Sequence, residues 1–301
     1  MKSVTSRFML IVFISLTAEA CFGFTLTMSG DEGVPGTTVW SPTCQLANES
    51  AFTGDSSKTY IVDTESYSGG KSIELNVTEG QTGFGSFGGT ILFNKCTHAG
   101  GRNLVKGDEI WLRMRIKFPT DYELTGEGRN KFIRFRTFYM DGNTKKSAGY
   151  NDLYLDAPPG TDNNNPGGYA PFQFIYEGAQ HWFRMPGDWM TMGQWNTIEF
   201  YLKLDDETAS QGGTPWVRVW LNGDLFAETN ERNTLYTPDT FVESLYLFTY
   251  FGNDGAPKTQ SLWIDDFVLT TDEPLARDEH GNPFIGMGIA PPNPPILYPP
   301  E

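Results

Sequence analysis

The sequence predicts an all-β fold, and three observations support that prediction. Many short segments show period-2 alternation of apolar and polar side chains, or enrichment in β-branched and aromatic residues. Clusters of Gly, Asn, Asp, Ser and Pro separate these segments. No stretch of about ten residues or more has a convincing helical period. We therefore expect a two-sheet antiparallel β-sandwich, with a jelly roll favoured and an up-and-down barrel as the alternative.

The strands are expected, in chain order, over 71–77, 109–118, 131–139, 151–157, 171–177, 196–204, 216–223, 244–251 and 261–269. The turn clusters between them include "SYSGG", "DGNTKKSAG", "PPGTDNNNPGG", "DDETASQGG" and "FGNDGAPK". In "LNGDLF" (221–226), the pair Asn222-Gly223 lies between apolar flanks, which is the strongest hairpin signal in the chain.

Strand alternation also assigns side chains to faces, because successive residues point to opposite sides. Apolar side chains form one face, while Arg, Lys, Tyr and Trp take the place of the usual small polar residues on the other. Asn151 is expected on the apolar face, together with Leu153 and Leu155. The residues expected on the other face are Trp111, Arg113, Arg115 and Lys117; Phe132, Arg134, Arg136 and Phe138; Tyr150, Asp152, Tyr154 and Asp156; and Tyr246, Phe248 and Tyr250.

Composition excludes several classes of protein. The chain has 301 residues, a formal net charge of -15 and a sequence pI near 4.6. A nucleic-acid binder needs a surplus of Lys and Arg to neutralise phosphates, so that class is not expected. No apolar run is long enough for a membrane-spanning helix. We expect a monomeric globular protein.

The two ends of the chain differ from the middle. Lys2 and Arg7 precede the apolar run 8–16, and small residues follow it, which is the layout of a secretory signal peptide. The last eleven residues, 291–301, contain six Pro, which favours an extended linker or a peripheral cover over a strand. The expected organisation is a signal peptide over 1–23, a jelly-roll domain over 24–272 and a Pro-rich tail over 273–301, in a protein that is extracellular or periplasmic.

Cysteine usage agrees with secretion. Cys21 falls in the cleavage region, which leaves Cys44 and Cys96. In an oxidising compartment we expect this pair to form one disulfide.

The aromatic and cationic face has a chemical meaning. Aromatic rings stack on the apolar faces of pyranose rings, and Arg binds carboxylates or sulfates with two parallel hydrogen bonds. The face therefore suits a groove for an anionic polysaccharide. The alternative is that the Arg residues pair with Asp and Glu across strands and the aromatics cover an edge.

Several segments resemble a known group of secreted proteins. They are "GDEIWLRMRIKFP", "KFIRFRTF", "GYNDLYL", "PFQFIYEG" and "TQSLWIDDFVLTTDEP", preceded by "GGKSIELNV" and "GFGSFGGTILF". Over roughly residues 25–272 they look like the concanavalin A-like jelly rolls, closest in style to bacterial polysaccharide lyases acting on uronic-acid polymers. The Gln-x-His strand of many alginate lyases is absent, because Phe174 and Ile175 follow Gln173, and so is the Glu-x-Asp-x-x-Glu strand of one glucanase group. The resemblance implies the fold with more force than the activity.

Lyase chemistry defines the candidate residues. β-Elimination needs a group that neutralises the uronate carboxylate and a base that reaches C5. As catalytic candidates the sequence offers Arg134, Tyr150, Tyr154 and His181, and an adjacent Arg should lower the pKa of a Tyr. Candidates for substrate binding are Lys131, Arg136, Asn151, Gln173, Tyr176, Trp182, Tyr246 and Tyr250.

Other functions stay open. A non-catalytic, lectin-like protein is one alternative, and a glycoside hydrolase with Glu177 and Glu199 as partners is another. No cofactor is required, although a structural calcium ion held by Asp31, with Asp265 on the last strand, is a weaker expectation. The expected partner is an acidic polysaccharide.

Overall fold

The structure, a computed structural model, describes residues 23–39, 58–81, 88–95, 101–124, 129–156, 171–248 and 255–288. Within these ranges the chain forms β1 (Thr25–Met28), β2 (Thr59–Val62), β3 (Ser72–Val77), β4 (Gly89–Leu92), β5 (Glu109–Lys117), β6 (Arg129–Asp141), β7 (Thr144–Asp156), β8 (Phe172–Tyr176), β9 (His181–Met185), β10 (Trp195–Lys203), β11 (Trp216–Leu221), β12 (Asp224–Thr229), β13 (Phe241–Leu247) and β14 (Gln260–Thr270). Short 3-10 turns occur at Phe93–Lys95 and Ala209–Gln211. No helix in the described ranges has the length and apolarity needed to cross a membrane.

The strands form two antiparallel sheets. The large sheet has eight strands in the order β12-β11-β10-β5-β14-β3-β2, with β1 paired to β14 beside β3. The small sheet has six, in the order β4-β13-β6-β7-β8-β9. The predicted all-β sandwich is confirmed.

Side chains that alternate inward along both sheets build the core. Leu112 and Ile198 of the large sheet and Phe135, Leu153 and Phe174 of the small sheet are fully buried in one apolar cluster. The outward residues of each sheet are consequently the ones available for chemistry.

A β-bulge in β6 changes one predicted face. The β6–β7 register shifts between Lys131 and Ile133, so one residue is inserted there. That residue is Phe132, which is fully buried in the core and meets the ring of Phe248 edge to face, with ring centroids 4.8 Å apart. The placement of Phe132 beside Arg134 on the outer face was wrong, because simple alternation does not anticipate a bulge.

Two segments that lie outside the expected strand ranges belong to strands. Most of "DGNTKKSAG" belongs to the β6–β7 hairpin, which turns between Asp141 and Thr144. The segment around His181 forms the edge strand β9, paired to β8. The predicted Asn222-Gly223 hairpin is confirmed, since both residues have positive φ (55° and 96°) and connect β11 to β12.

The segment after β14 lies across the outer face of the large sheet. The indole Nε1 of Trp111 donates to the carbonyl of Pro283 at 3.0 Å, and Arg113 Nη1 donates to the carbonyls of Gly286 at 2.9 Å and Gly288 at 3.1 Å. The ring of Phe284 stacks on Trp220 with centroids 5.9 Å apart. We call residues 276–288 the C-terminal strap. Of the two alternatives for the tail, its described part forms a cover. Residues 289–301 and residues 1–22 of the predicted signal peptide lie outside the described residues.

Candidate functional site

The outer face of the small sheet brings most of the candidate residues together. The β6–β7 register places Arg136 opposite Tyr150, Arg134 opposite Asp152 and Lys131 opposite Tyr154. The β13–β6 register adds Tyr246 opposite Arg134. The expectation that Arg134, Arg136, Tyr150 and Tyr154 come from adjoining strands with matching faces is met.

Arg134 is an ion-paired, buried residue. Its Nε lies 2.7 Å from Asp152 Oδ1, and its Nη2 lies 3.2 Å from Asp152 Oδ2 and 3.0 Å from Glu177 Oε1. Burial alone would lower the pKa of Arg134, but the carboxylate of Asp152 outweighs that effect and the pKa is raised. Arg134 thus binds two carboxylates of its own chain, as the cross-strand alternative anticipated.

Arg136 has a different environment. Its Nη1 donates to the hydroxyl of Tyr246 at 3.1 Å, and its guanidinium lies 4.7 Å from the centroid of the Phe138 ring. Among the described residues its Nε has no hydrogen-bond partner. Arg136 is half-buried, and no ion pair between its guanidinium and a carboxylate is found in the described part of the chain. It is the better placed of the two arginines to receive an anionic ligand.

Tyr150 lies between the two arginines. Its ring centroid is 3.9 Å from the guanidinium carbon of Arg134 and 5.6 Å from that of Arg136, and its ring meets Tyr246 edge to face at 5.9 Å. Burial raises the pKa of Tyr150, and this outweighs the lowering by Arg136 and Arg134. The arginines do lower the pKa of Tyr150, as predicted, but the burial of this side chain has the larger effect, so the net shift is upward.

Tyr154 is bound to Asp152. Its hydroxyl donates to Asp152 Oδ2 at 2.9 Å, and burial together with that carboxylate raises its pKa. The ring stacks on the indole of Trp182 with centroids 5.6 Å apart, and Lys131 Nζ lies 5.7 Å from the ring centroid. Because Trp182 is 37% exposed, this stack gives the face an open aromatic surface.

Asp152 and Glu177, which we call the acidic pair, meet at Arg134. Asp152 is fully buried, whereas the Glu177 side chain is 28% exposed. Burial, followed by the charge of Asp152 and a hydrogen bond to it, raises the pKa of Glu177 to about 7, against the opposing effects of Arg134 and Lys131. Glu177 also contributes to the lining of a pocket of about 420 Å³ that includes Tyr139 and Tyr236.

Some predicted residues lie elsewhere. Asn151 is buried on the inner face and donates to the carbonyl of Thr234 at 2.7 Å, and Tyr176 is buried in the core with its hydroxyl donating to the carbonyl of Ala148 at 3.0 Å. Alternation along β8 and β7 turns both inward, so neither meets a ligand on the outer face.

His181 is also separated from the cluster. Along β9 it alternates with Trp182, which stacks on the outer face, and it shares the parity of Phe183 and Met185, which pack on the core. Gln173 does lie on the outer face, but it is buried and its Nε2 donates to Asp156. Tyr250 lies outside the described residues, as do Cys44 and Cys96.

The carboxylates considered for calcium bind backbone groups. Asp265 is fully buried and accepts hydrogen bonds from the N–H groups of Tyr67 and Ser68 at 2.9 and 3.1 Å. Asp31 accepts from the N–H of Lys71 at 3.2 Å. Within the described ranges no group of three or more His, Cys, Asp or Glu residues could hold a metal ion, and the calcium site stays a prediction.

Glu177 and Glu199 are not partners. Glu199 is on β10 of the large sheet, where it accepts hydrogen bonds from the N–H groups of Ile285 and Gly286 in the C-terminal strap. Glu177 follows β8 of the small sheet. The hydrolase pairing of these two residues was therefore wrong, because they lie on different sheets.

Sequence reasoning did not pair Asp152 with Glu177, which it considered only as a partner of Glu199. Alternation did place Asp152 on the same face as Tyr150 and Tyr154, and Glu177 has the parity of Gln173 on β8. The signal for Asp152 and Glu177 was present, but only strand register shows that both reach Arg134.

Known proteins resemble this chain in structure and not in sequence. No protein-family model matches the chain, and no curated protein matches its sequence. The solved structure of alginate lyase Aly36B is 13% identical with a TM-score of 0.52, and the match covers 81% of this chain and 96% of that one.

Two further structures are similar. A double mutant of Aly36B in complex with an alginate trisaccharide has a TM-score of 0.53 at 13% identity, covering 82% of this chain and 98% of that one. An endo-β-1,4-glucuronan lyase from the fungus Trichoderma reesei has a TM-score of 0.48 at 12% identity, covering 70% and 86% of the two chains. The chain therefore has the two-sheet jelly-roll fold of the Aly36B alginate lyase, as the resemblance of its strands to polysaccharide lyases implied.

Proposed function

We propose that the protein is a secreted polysaccharide lyase that cleaves an anionic, uronic-acid polymer by β-elimination. The observation that carries the proposal is the cluster of Arg136, Tyr150 and Tyr246 on the outer face of the small sheet. It combines a half-buried cation with the hydroxyls of a half-buried tyrosine, Tyr150, and a buried one, Tyr246, on the same face of the sheet.

Arg136 suits the uronate carboxylate. Its guanidinium carries no ion pair to a carboxylate in the described part of the chain, and its Nε has no hydrogen-bond partner there. A carboxylate bound to such a group loses much of its negative charge, which acidifies the proton on the adjacent C5. Arg134 would then position the ring of Tyr150 and would not touch substrate.

The aromatic surface formed by Trp182 and Tyr154 suits the sugar rings that flank the cleaved bond. Trp182 on Tyr154 extends the face from the cluster toward β9, with Lys131 above it. Pyranose rings stack on such surfaces, and a cation attracts further uronates along the polymer.

Absorbance provides the test. Elimination forms a double bond conjugated to the uronate carboxylate, so the product absorbs in the ultraviolet. The purified protein should generate this absorbance with at least one of alginate, glucuronan, ulvan or a glycosaminoglycan. New reducing ends without absorbance would indicate hydrolysis, and retention of a polymer without either signal would indicate a lectin-like protein.

Arg136→Ala is the matching variant. It should lower the rate of product formation by about a hundredfold, the effect typical of losing one transition-state partner. Arg218→Ala is a suitable control, because Arg218 is an ion-paired arginine on the large sheet, bound to Glu228 at 2.8 Å. Equal activity of the Arg136 variant and the wild type would contradict the assigned role.

A further inference from the structure

Two carboxylates of the described residues, Asp152 and Glu177, are paired with Arg134, and of these two Glu177 is the one that keeps access to solvent. Resting on the lyase function proposed above, we infer that Glu177 is a catalytic residue, the base that takes the C5 proton of the uronate, and that Tyr150 is the acid that protonates the leaving oxygen.

Geometry separates the two members of the acidic pair. Asp152 is fully buried, and its oxygens accept hydrogen bonds from Arg134 and from the hydroxyl of Tyr154. Glu177 reaches the same guanidinium from the turn after β8, and its side chain keeps 28% of its surface exposed. Asp152 thus fixes the orientation of Arg134, while Glu177 can meet a ligand.

Backbone pairing holds Glu177 beside Tyr150. The N–H of Glu177 donates to the carbonyl of Tyr150 at 2.9 Å, and both side chains contact the guanidinium of Arg134. The neighbouring Gly149 has a φ of 89°, and a Cβ there would lie 2.9 Å from the Cβ of Glu177. A residue with a side chain at position 149 would displace Glu177 from Tyr150.

The charged surroundings set the direction of proton transfer. Burial and Asp152 raise the pKa of Glu177 to about 7, while Arg134 and Lys131 oppose them. Burial raises the pKa of Tyr150, and the nearby Glu177 adds to that increase. Near neutral pH, Glu177 can therefore accept a proton, whereas the hydroxyl of Tyr150 carries one to give. Two groups whose pKa values differ in this way are a suitable base and acid.

The step balances without a co-reactant. The carboxylate of Glu177 takes the C5 proton, the electron pair of the C5–H bond forms the C4–C5 double bond, and the C4–O bond breaks. The departing oxygen takes the proton of the Tyr150 hydroxyl. Solvent exchange then returns a proton to Tyr150 and removes one from Glu177.

The test compares Glu177→Gln with wild type and with Glu228→Gln. The glutamine keeps an oxygen for Arg134, so the fold should persist, and thermal unfolding checks this. We expect kcat to fall at least a hundredfold with KM within about threefold of wild type. Glu228, paired with Arg218 on the large sheet, is the matched control, and its variant should retain wild-type kcat.

A second readout does not depend on the variant. In wild type, kcat/KM should rise with pH along the same curve as the ionisation of Glu177 followed by carbon-13 NMR of its side-chain carboxyl, with a midpoint near 7. A Glu177→Gln variant with wild-type kcat, or a carboxyl that titrates away from the kinetic curve, would overturn the inference and leave the lyase function standing. A wild type that produces no unsaturated uronate from any polymer would overturn both.

Discussion

Arg134 and Arg136 are near neighbours on β6, yet their guanidinium groups have different partners. Arg134 is paired with Asp152 and Glu177, and removing one member of a buried ion pair leaves an uncompensated charge. We expect Arg134→Ala to lower the free energy of unfolding by about 3–5 kcal/mol. Urea denaturation measures the change.

The control for this prediction is Arg136→Ala. Among the described residues, its guanidinium makes one hydrogen bond, to Tyr246, so its loss should change the free energy of unfolding by about 1 kcal/mol or less. If both variants had the same stability, the ion pair of Arg134 would not have the structural role described above.

Glu177 gives stability a pH dependence of defined sign. Its pKa in the folded protein is raised to about 7 from 4.5, so the folded state holds this proton more tightly than the unfolded chain does. The contribution is fully present below about pH 4.5 and is lost as pH rises to about 7. Glu177→Gln should remove this part of the dependence, which unfolding curves at pH 4, 5.5 and 7.5 would detect as a difference from wild type.

At the scale of residues, alternation predicted much of the site and missed its electrostatics. It placed Arg134, Arg136, Tyr150 and Tyr154 on one face, as observed. It could not show which arginine is ion-paired, because that depends on the register with Asp152 on β7 and on Glu177 in the turn after β8. For that reason the proposed function assigns binding of the uronate carboxylate to Arg136 instead of Arg134.

The C-terminal strap is an element whose contribution can be measured. It supplies two N–H donors to Glu199 and covers Trp111 and Trp220. A chain that lacks 273–301 should lose on the order of 3 kcal/mol of stability, because the hydrogen bonds that Glu199 and Arg113 make to the strap would be lost. Tryptophan fluorescence should shift to longer wavelength in the truncated protein.

A shorter truncation separates the strap from the residues after it. A chain that lacks only 291–301 keeps every strap contact described above and should retain wild-type fluorescence. A red shift in the shorter truncation equal to that in the longer one would contradict this account of the strap.

Elements were predictable where alternation was uninterrupted. The long strands β5 and β10 fall where the pattern predicted them, and so does β14, although it contains a bulge between Asp265 and Val268. The edge strand β9 and the first part of β7, residues 144–149, were missed, because most of their side chains are exposed and the apolar alternation is too weak to distinguish them from loops. The bulge near Lys131 has no signal in the amino-acid sequence, and only the strand register in the structure reveals it.

At the scale of the whole molecule, two expectations concern its export. The signal-peptide pattern and the pair Cys44 and Cys96 predict a secreted chain with one disulfide. Mass spectrometry of the mature, non-reduced protein should find the peptides of Cys44 and Cys96 linked and an N-terminus near residues 21–24. Two free thiols in the mature protein would count against both the pairing and the oxidising compartment.

The position of β14 has a consequence for how the molecule forms. This strand, the last in the described part of the chain, lies inside the large sheet, with β5 on one side and β3 and β1 on the other. Contacts between residues so distant in sequence are reached slowly, since the loop between them must close first. Without β14 the large sheet is divided into three unconnected parts, namely β12-β11-β10-β5, β3-β2 and β1. These parts can join only after β14 has been synthesised and inserted, so the nascent chain has no complete sandwich to fold into before then.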